Sequence, residues 1–208
     1  MVELMVAMVA GLLLVAAVTS LFATILRVNQ TSMQVSRLNQ ELQSVTDMIA
    51  RDAQRAGYDG KASMLLETSA SKFTFSTNTD LMNETASGSQ VYRCIRIRYD
   101  YDSDGCLDKD ASVCGTNSGD VEETRVYSFS STDKGIKLAE GNSVSCSDGS
   151  LLSTDNTIEI SALTFSLLSG SVSSGARTVR LTISGQYKAN TALKLTLQRD
   201  IKLRNDGY

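Results

Sequence analysis

The sequence predicts an α+β protein in which one long N-terminal α-helix packs on an antiparallel β-sheet head. Three observations predict it. The chain opens on an apolar run from Leu4 to Leu26 that carries no charge. Beyond Arg27 the apolar residues keep helical spacing to Ala53 with no Pro to interrupt them. Past Gly60 the apolar period drops from three-and-four to two, the period of half-buried strands.

The first segment, residues 1–27, is long enough to span a membrane. At roughly 1.5 Å per helical residue, Leu4 through Gly11 to Leu26 crosses a hydrocarbon core of about 30 Å. Its hydroxyls are Thr19, Ser20 and Thr24. A secretory signal peptide has a shorter apolar core, a basic segment before it and a small-residue cleavage site after it. Here no Lys or Arg precedes the run, and a carboxylate, Glu3, stands at its head. A charge at the edge of a membrane helix is costly unless it meets a partner, which marks Glu3 as a functional candidate. The plain alternatives are a single-span anchor and a Glu3 that merely reaches for the interface.

Residues 28–57 continue the helix as an amphipathic half. Val35, Leu38, Leu42, Val45, Ile49 and Ala53 trace one stripe, while Gln34, Arg37, Asn39, Gln40, Glu41, Gln43, Ser44 and Asp47 form a wet face. A continuous helix from about Glu3 to Ala56 is about 80 Å long. Gly57-Tyr58-Asp59-Gly60 stops it, because Gly favours the left-handed conformation that ends helices. A homomeric coiled coil is the competing explanation of the stripe, but it covers fewer than four heptads and ends in an Ala-rich turn, which favours packing on a sheet.

Residues 58–208 form the head. Phe73 and Phe75 alternate with polar residues, as do Val91, Ile95, Ile97 and Tyr99 against Tyr92, Cys94, Arg96 and Arg98. Val126 opposes Tyr127 and Phe129, Ile158 and Ile160 lead to Leu163, Phe165 and Leu167, and Val179, Leu181 and Ile183 precede Gly185 and Tyr187. Leu193, Leu195 and Leu197 precede Ile201 and Leu203, with Lys188-Ala189-Asn190-Thr191 as the turn of a C-terminal hairpin. Thr77–Gln90 and Gly141–Thr157, crowded with Ser, Thr, Gly, Asn and Asp, read as long exposed loops.

Composition narrows the chemistry. A net charge of -3 implies no general attraction to nucleic acid. The chain has no His, so the commonest general base and neutral metal ligand are missing, and a Ser/His/Asp set cannot be built. Neither a phosphate-cradling loop nor a dinucleotide fingerprint occurs. No enzyme is expected. Four cysteines, Cys94, Cys106, Cys114 and Cys146, contain no C-x-x-C pair. An even count in a tethered head reads as two disulfides in an oxidising compartment; four free thiols would fit a cytosolic head. Three connectivities are possible, and we favour Cys106–Cys114 closing a loop with Cys94–Cys146 joining distant segments.

One loop could carry a cation. Asp100, Asp102, Asp104 and Asp108 stand at positions one, three, five and nine, with Gly105 at six, as in the first part of an EF-hand calcium loop. Alternate carboxylates in a tight turn converge on one point, which suits a hard ion that takes six to eight oxygens. Position twelve is Ala111 rather than Glu, so Asp110 or a backbone carbonyl would have to complete the shell. The competing reading is a solvated acidic loop pinned by Cys106–Cys114. Arg93, Arg96 and Arg98 suggest anion binding, but aspartates next to Arg96 and Arg98 make local pairing the simpler expectation.

The opening Met1-Val2-Glu3-Leu4-Met5-Val6 resembles the processed N-terminus of type IV pilins and pseudopilins from its third residue on. That pattern places a basic leader ending in Gly, then two residues, ahead of the stretch seen here; a start placed late or a trimmed chain would each account for the difference, and a Lys/Arg-rich leader ending in Gly-Phe-Thr in the DNA upstream of Met1 would settle the class. Ala50-Arg51-Asp52-Ala53-Gln54-Arg55-Ala56-Gly57-Tyr58 resembles the helix end of PilW-type minor pilins. Leu197-Gln198-Arg199-Asp200-Ile201-Lys202-Leu203-Arg204-Asn205 resembles the last strand of those proteins and of J-type pseudopilins. The resemblance implies a pilin-like fold and a minor pilin that primes type IV pilus assembly near the tip. Implied partners are other minor pilins, the major pilin, the inner-membrane assembly platform and a tip adhesin. The head would lie in the periplasm and then on the extracellular pilus, with adhesion and twitching motility following indirectly. In such filaments the carboxylate at Glu3 is thought to neutralise the N-terminal amine of a neighbouring subunit, a pairing strengthened by a low-dielectric core. The rivals are a J-type pseudopilin of a type II secretion system and a stand-alone membrane-tethered calcium-binding or sensing domain.

Overall fold

The computed structural model describes residues 2–58, 60, 75–77, 79–101, 123–141, 144–152, 157–169 and 177–205. Its order is α1 (Val2–Arg55), β1 (Leu81–Glu84), β2 (Val91–Arg98), β3 (Thr124–Ser130), β4 (Gly135–Glu140), β5 (Ser150–Leu151), β6 (Ile158–Ser169), β7 (Thr178–Tyr187) and β8 (Asn190–Lys202). Two compact units divide the chain, Met1–Gln40 and Glu41–Tyr208. The first unit is helix alone. The second holds the last turns of α1 and one eight-stranded sheet.

The sheet runs β5-β4-β3-β2-β6-β7-β8, with β1 beside β2 off that path, and every pairing is antiparallel. Within the second unit, α1 packs on one face through Leu42, Val45, Ile49, Ala50 and Ala53, all buried. The facing strands supply Ile95, Ile97, Tyr127, Leu163, Phe165, Leu181 and Ile183, also buried. Each large aliphatic side chain removed from water here contributes about 1.5–3 kcal/mol. The three-and-four stripe is therefore a sheet-facing stripe, and the α+β expectation holds.

Gly57 ends the helix with φ 74°, a left-handed conformation, and its N–H donates to the Arg98 carbonyl at 2.8 Å. At the other extreme of the head, Tyr187 pairs with Asn190, so Lys188 and Ala189 make the tight turn of the C-terminal hairpin. Phe73 lies outside the described residues; Phe75 is buried but belongs to no strand.

Three local expectations need correction. The polar stretch Thr77–Gln90 contains strand β1, paired with β2 from Leu81 opposite Ile95 to Glu84 opposite Tyr92. Gly141–Thr157 contains the two-residue β5, and β4 has no counterpart in the period-two reading. These strands are short or irregularly patterned, and their neighbours rather than their own alternation hold them. The third correction concerns Cys94, expected on a wet face. It is fully buried with Val126 and Ala139, and Met82, Val144 and Cys146 pack partly buried against them. The sheet therefore carries a second, smaller core on the face away from α1.

Candidate assembly site

Glu3 lies in the first turn of α1, where N–H groups have no intrahelical acceptor and a carboxylate is favoured by the helix dipole. Its side chain is exposed. So is every apolar side chain that follows, from Leu4 at 67 % to Leu26 at 47 %. The helix is long and apolar enough to cross a membrane, with a mean hydropathy of 2.5 in the best window of α1. Two of the three hydroxyls in residues 4–26 are paired within the helix. Thr19 donates to the Val15 carbonyl at 2.8 Å and Thr24 to the Ser20 carbonyl at 3.0 Å, so both are satisfied inside the helix. A methyl group placed on Gly11 would meet nothing within 4 Å, so Gly11 is a flat spot on that surface where another backbone could approach.

In the second unit, the last helical turns are tied to the sheet by polar contacts. Asp52 is buried, although it interrupts the apolar stripe. Its Oδ2 accepts from the Tyr127 hydroxyl and, at 3.0 Å, from Arg125 Nη1. Arg125 Nε lies 3.1 Å from Glu140, and its guanidinium sits 5.9 Å over the Tyr99 ring. Burial and the Asp52 hydrogen bond push the Tyr127 phenol well above its ordinary range. Burial works against the Arg125 charge, but the hydrogen bond and charge of Asp52 hold it firmly protonated. A second ion pair joins Asp47 of α1 to Arg199 of β8. Sequence reasoning passed over this cluster. Its signal was present: Asp52 falls three residues after Ile49, on the buried side of the stripe.

The cysteine and aspartate expectations divide. Cys94 and Cys146 are joined in a disulfide with Cα atoms 5.9 Å apart. Cys106 and Cys114 lie outside the described residues, as do Asp102, Asp104, Asp108 and Asp110. Asp100 is described and buried; its Oδ2 accepts from the Gly60 N–H at 2.8 Å, and its own N–H donates to the Tyr58 carbonyl at 2.9 Å. It thus braces the turn after α1. Arg98 pairs with Asp80, at 3.1 Å, and Arg96 donates to the Val144 carbonyl at 3.3 Å. Asp80 also accepts the Ser76 N–H at 2.8 Å, and burial pushes its carboxyl above the usual range despite Arg98.

The chain thus joins an exposed apolar helix headed by a carboxylate to an antiparallel head. Residues 31–203 match the family model of prepilin peptidase-dependent protein B. The chain belongs to that family. It is a type IV pilin-like protein, and the match spans the amphipathic half of the helix and nearly the whole head. No curated protein and no solved structure matches the chain. Pilin-like proteins of this family are structural, so the polar clusters of the head read as fold-determining contacts.

Proposed function

We propose that this protein is a minor pilin of the PilW type that primes type IV pilus assembly with other minor pilins and is incorporated at or near the filament tip. The observation that carries the reading is Glu3 at the head of a helix whose apolar surface is exposed along residues 4–26. Before assembly that helix half sits in the inner membrane with the head in the periplasm; after assembly it packs among the helices of other pilins. Glu3 then meets the N-terminal amine of a neighbouring subunit. An unpaired charge left in such a core costs several kcal/mol, so the pair selects the axial register. The assembly platform handles the helix, and the head's loops face protein partners such as a tip adhesin.

The test replaces Glu3→Ala and, separately, exchanges residues 1–27 for an unrelated transmembrane helix. Both variants should reach the membrane yet be lost from sheared pili, by quantitative immunoblot. Recruitment of Glu3→Ala at the wild-type level sinks the register role. Normal function of the helix exchange would favour a tethered domain acting alone, and a secretion defect with normal pili would move the reading to a J-type pseudopilin.

A further inference from the structure

The sheet ends on its longest strand. β8 runs for 13 residues and, among the described residues, pairs with β7 alone. Its outer row of N–H and C=O groups is therefore open along an unusually long edge. The opposite end of the sheet is closed by β5, of only two residues. Native sheets blunt such edges with Pro, bulges, brevity or charged side chains, Lys above all. Of these β8 has charge alone, with Arg199 and Asp200 already engaged by Asp47 and Arg180, and Lys194 and Lys202 at the two ends. Here there is no Pro in the chain, and from Lys194 to Lys202 the pairing with β7 continues without a register shift.

The side chains on β8 are also half finished. Ile183 of β7 is fully buried, but its β8 partner Leu197 is only half-buried, as are Leu195 and Leu193 beyond it. A further strand would complete their burial. On the other face β8 presents Lys194, Thr196, Gln198, Asp200 and Lys202. Asp200 is committed to Arg180, through bonds of 2.8 and 2.9 Å. The charge left for a partner on that face is positive at both ends, Lys194 and Lys202.

We propose that the β8 edge is a docking site for an extended acidic segment of a different polypeptide, which adds a ninth strand. Main-chain hydrogen bonds hold it, alternate apolar side chains cover Leu193, Leu195 and Leu197, and carboxylates on the opposite face meet Lys194 and Lys202. A second copy of this chain is the poorer occupant. Pairing β8 with itself in the antiparallel sense of every other pair in the sheet needs a two-fold axis normal to the sheet. That axis would reverse the helical stretch packed on it, so two copies would enter their heads from opposite sides. This one step rests on the membrane-anchored reading; the peptide test below does not.

The full chain in detergent is titrated against a fluorescent nine-residue peptide alternating Thr and Val, with Glu at both ends. Saturable binding is expected. Methylating the alternate amide nitrogens that face the protein should weaken it about tenfold or more, and methylating the other set should not. Replacing the terminal Glu by Lys should weaken it about tenfold, and the Lys194→Glu/Lys202→Glu protein should reverse that preference. No binding, equal binding of both peptide charges, or equal loss with both methylated sets would overturn the proposal. So would a concentration-dependent dimer that excludes the peptide. None of these results bears on the Glu3 experiment.

Discussion

The Asp52 carboxylate and the Tyr127 phenol meet in a hydrogen bond across 75 residues of chain, inside the core of the head. With Arg125 they anchor the last helical turns to β3, and each partner satisfies a group that burial would otherwise leave unpaired. Removing Asp52 (Asp52→Ala) should cost about 2 kcal/mol, because the buried phenol loses its acceptor and Arg125 keeps only Glu140, at 3.1 Å. Tyr127→Phe should cost about 1 kcal/mol. Urea unfolding of the full chain in detergent, followed by near-ultraviolet circular dichroism, measures both. If the double variant is additive, the two residues do not act as a unit.

The Cys94–Cys146 bond closes a loop with a sequence separation of 52. Constraining the unfolded chain over that length stabilises the head by about 4 kcal/mol on the chain-entropy account. The bond also covers Val126 and Ala139 on the sheet's second face. Cys94→Ala/Cys146→Ala should therefore lower the urea midpoint strongly and open the segment around Val144 to hydrogen exchange. Unchanged exchange there would mean that packing alone holds it.

Gly149 has φ +94°, and a Cβ at that position would lie 2.2 Å from the Leu138 carbonyl oxygen. Backbone strain and backbone collision act together, so Gly149→Ala should cost about 2 kcal/mol or more and detach β5. Gly88 also has positive φ, +80°, but opens onto empty space. Gly88→Ala should carry the strain alone, about 1 kcal/mol. Equal thermal shifts for the two variants would contradict the close approach.

Asp80 gives a pH signature. Its folded pKa lies above the ordinary 3.8, with burial the main cause and Arg98 opposing it. The folded state therefore binds this proton more tightly than the unfolded chain, so the contribution is greatest in acid. It is lost as pH rises from about 3.8 through the raised folded value. Relative to Asp80→Asn, the wild type should lose stability across that window and run parallel above it. The difference in urea midpoints, measured from acid to neutral pH, checks this; a difference independent of pH rules it out. Taking the difference removes the exposed Asp200, whose carboxyl is held low by hydrogen bonds from Arg180 and contributes in the opposite sense.

The helix and the long strands were legible because their periods are strong. Ile49 and Ala53 repeat at helical spacing, and Val179, Leu181 and Ile183 alternate over a stretch long enough to show it. β1 was not legible, since Leu81 is one buried residue in a polar run, held by Ile95 across the pair. Asp52 was readable only in part. Its place on the stripe marks it as buried, but nothing local to it points to Arg125 and Tyr127.

Local pattern alone thus determined an α+β chain, an exposed apolar helix with Glu3 at its head, a stop at Gly57 and a hairpin at the C-terminus. Each follows from periodicity, from one residue's conformational freedom or from an uninterrupted apolar run. Tertiary structure decided which strands lie at the sheet's ends, that Cys94 closes a second core with Cys146, and that β8 keeps an open edge. Those facts depend on pairings between residues far apart in sequence. Such pairings are selected by the total packing of both sheet faces, which no single stretch of chain encodes.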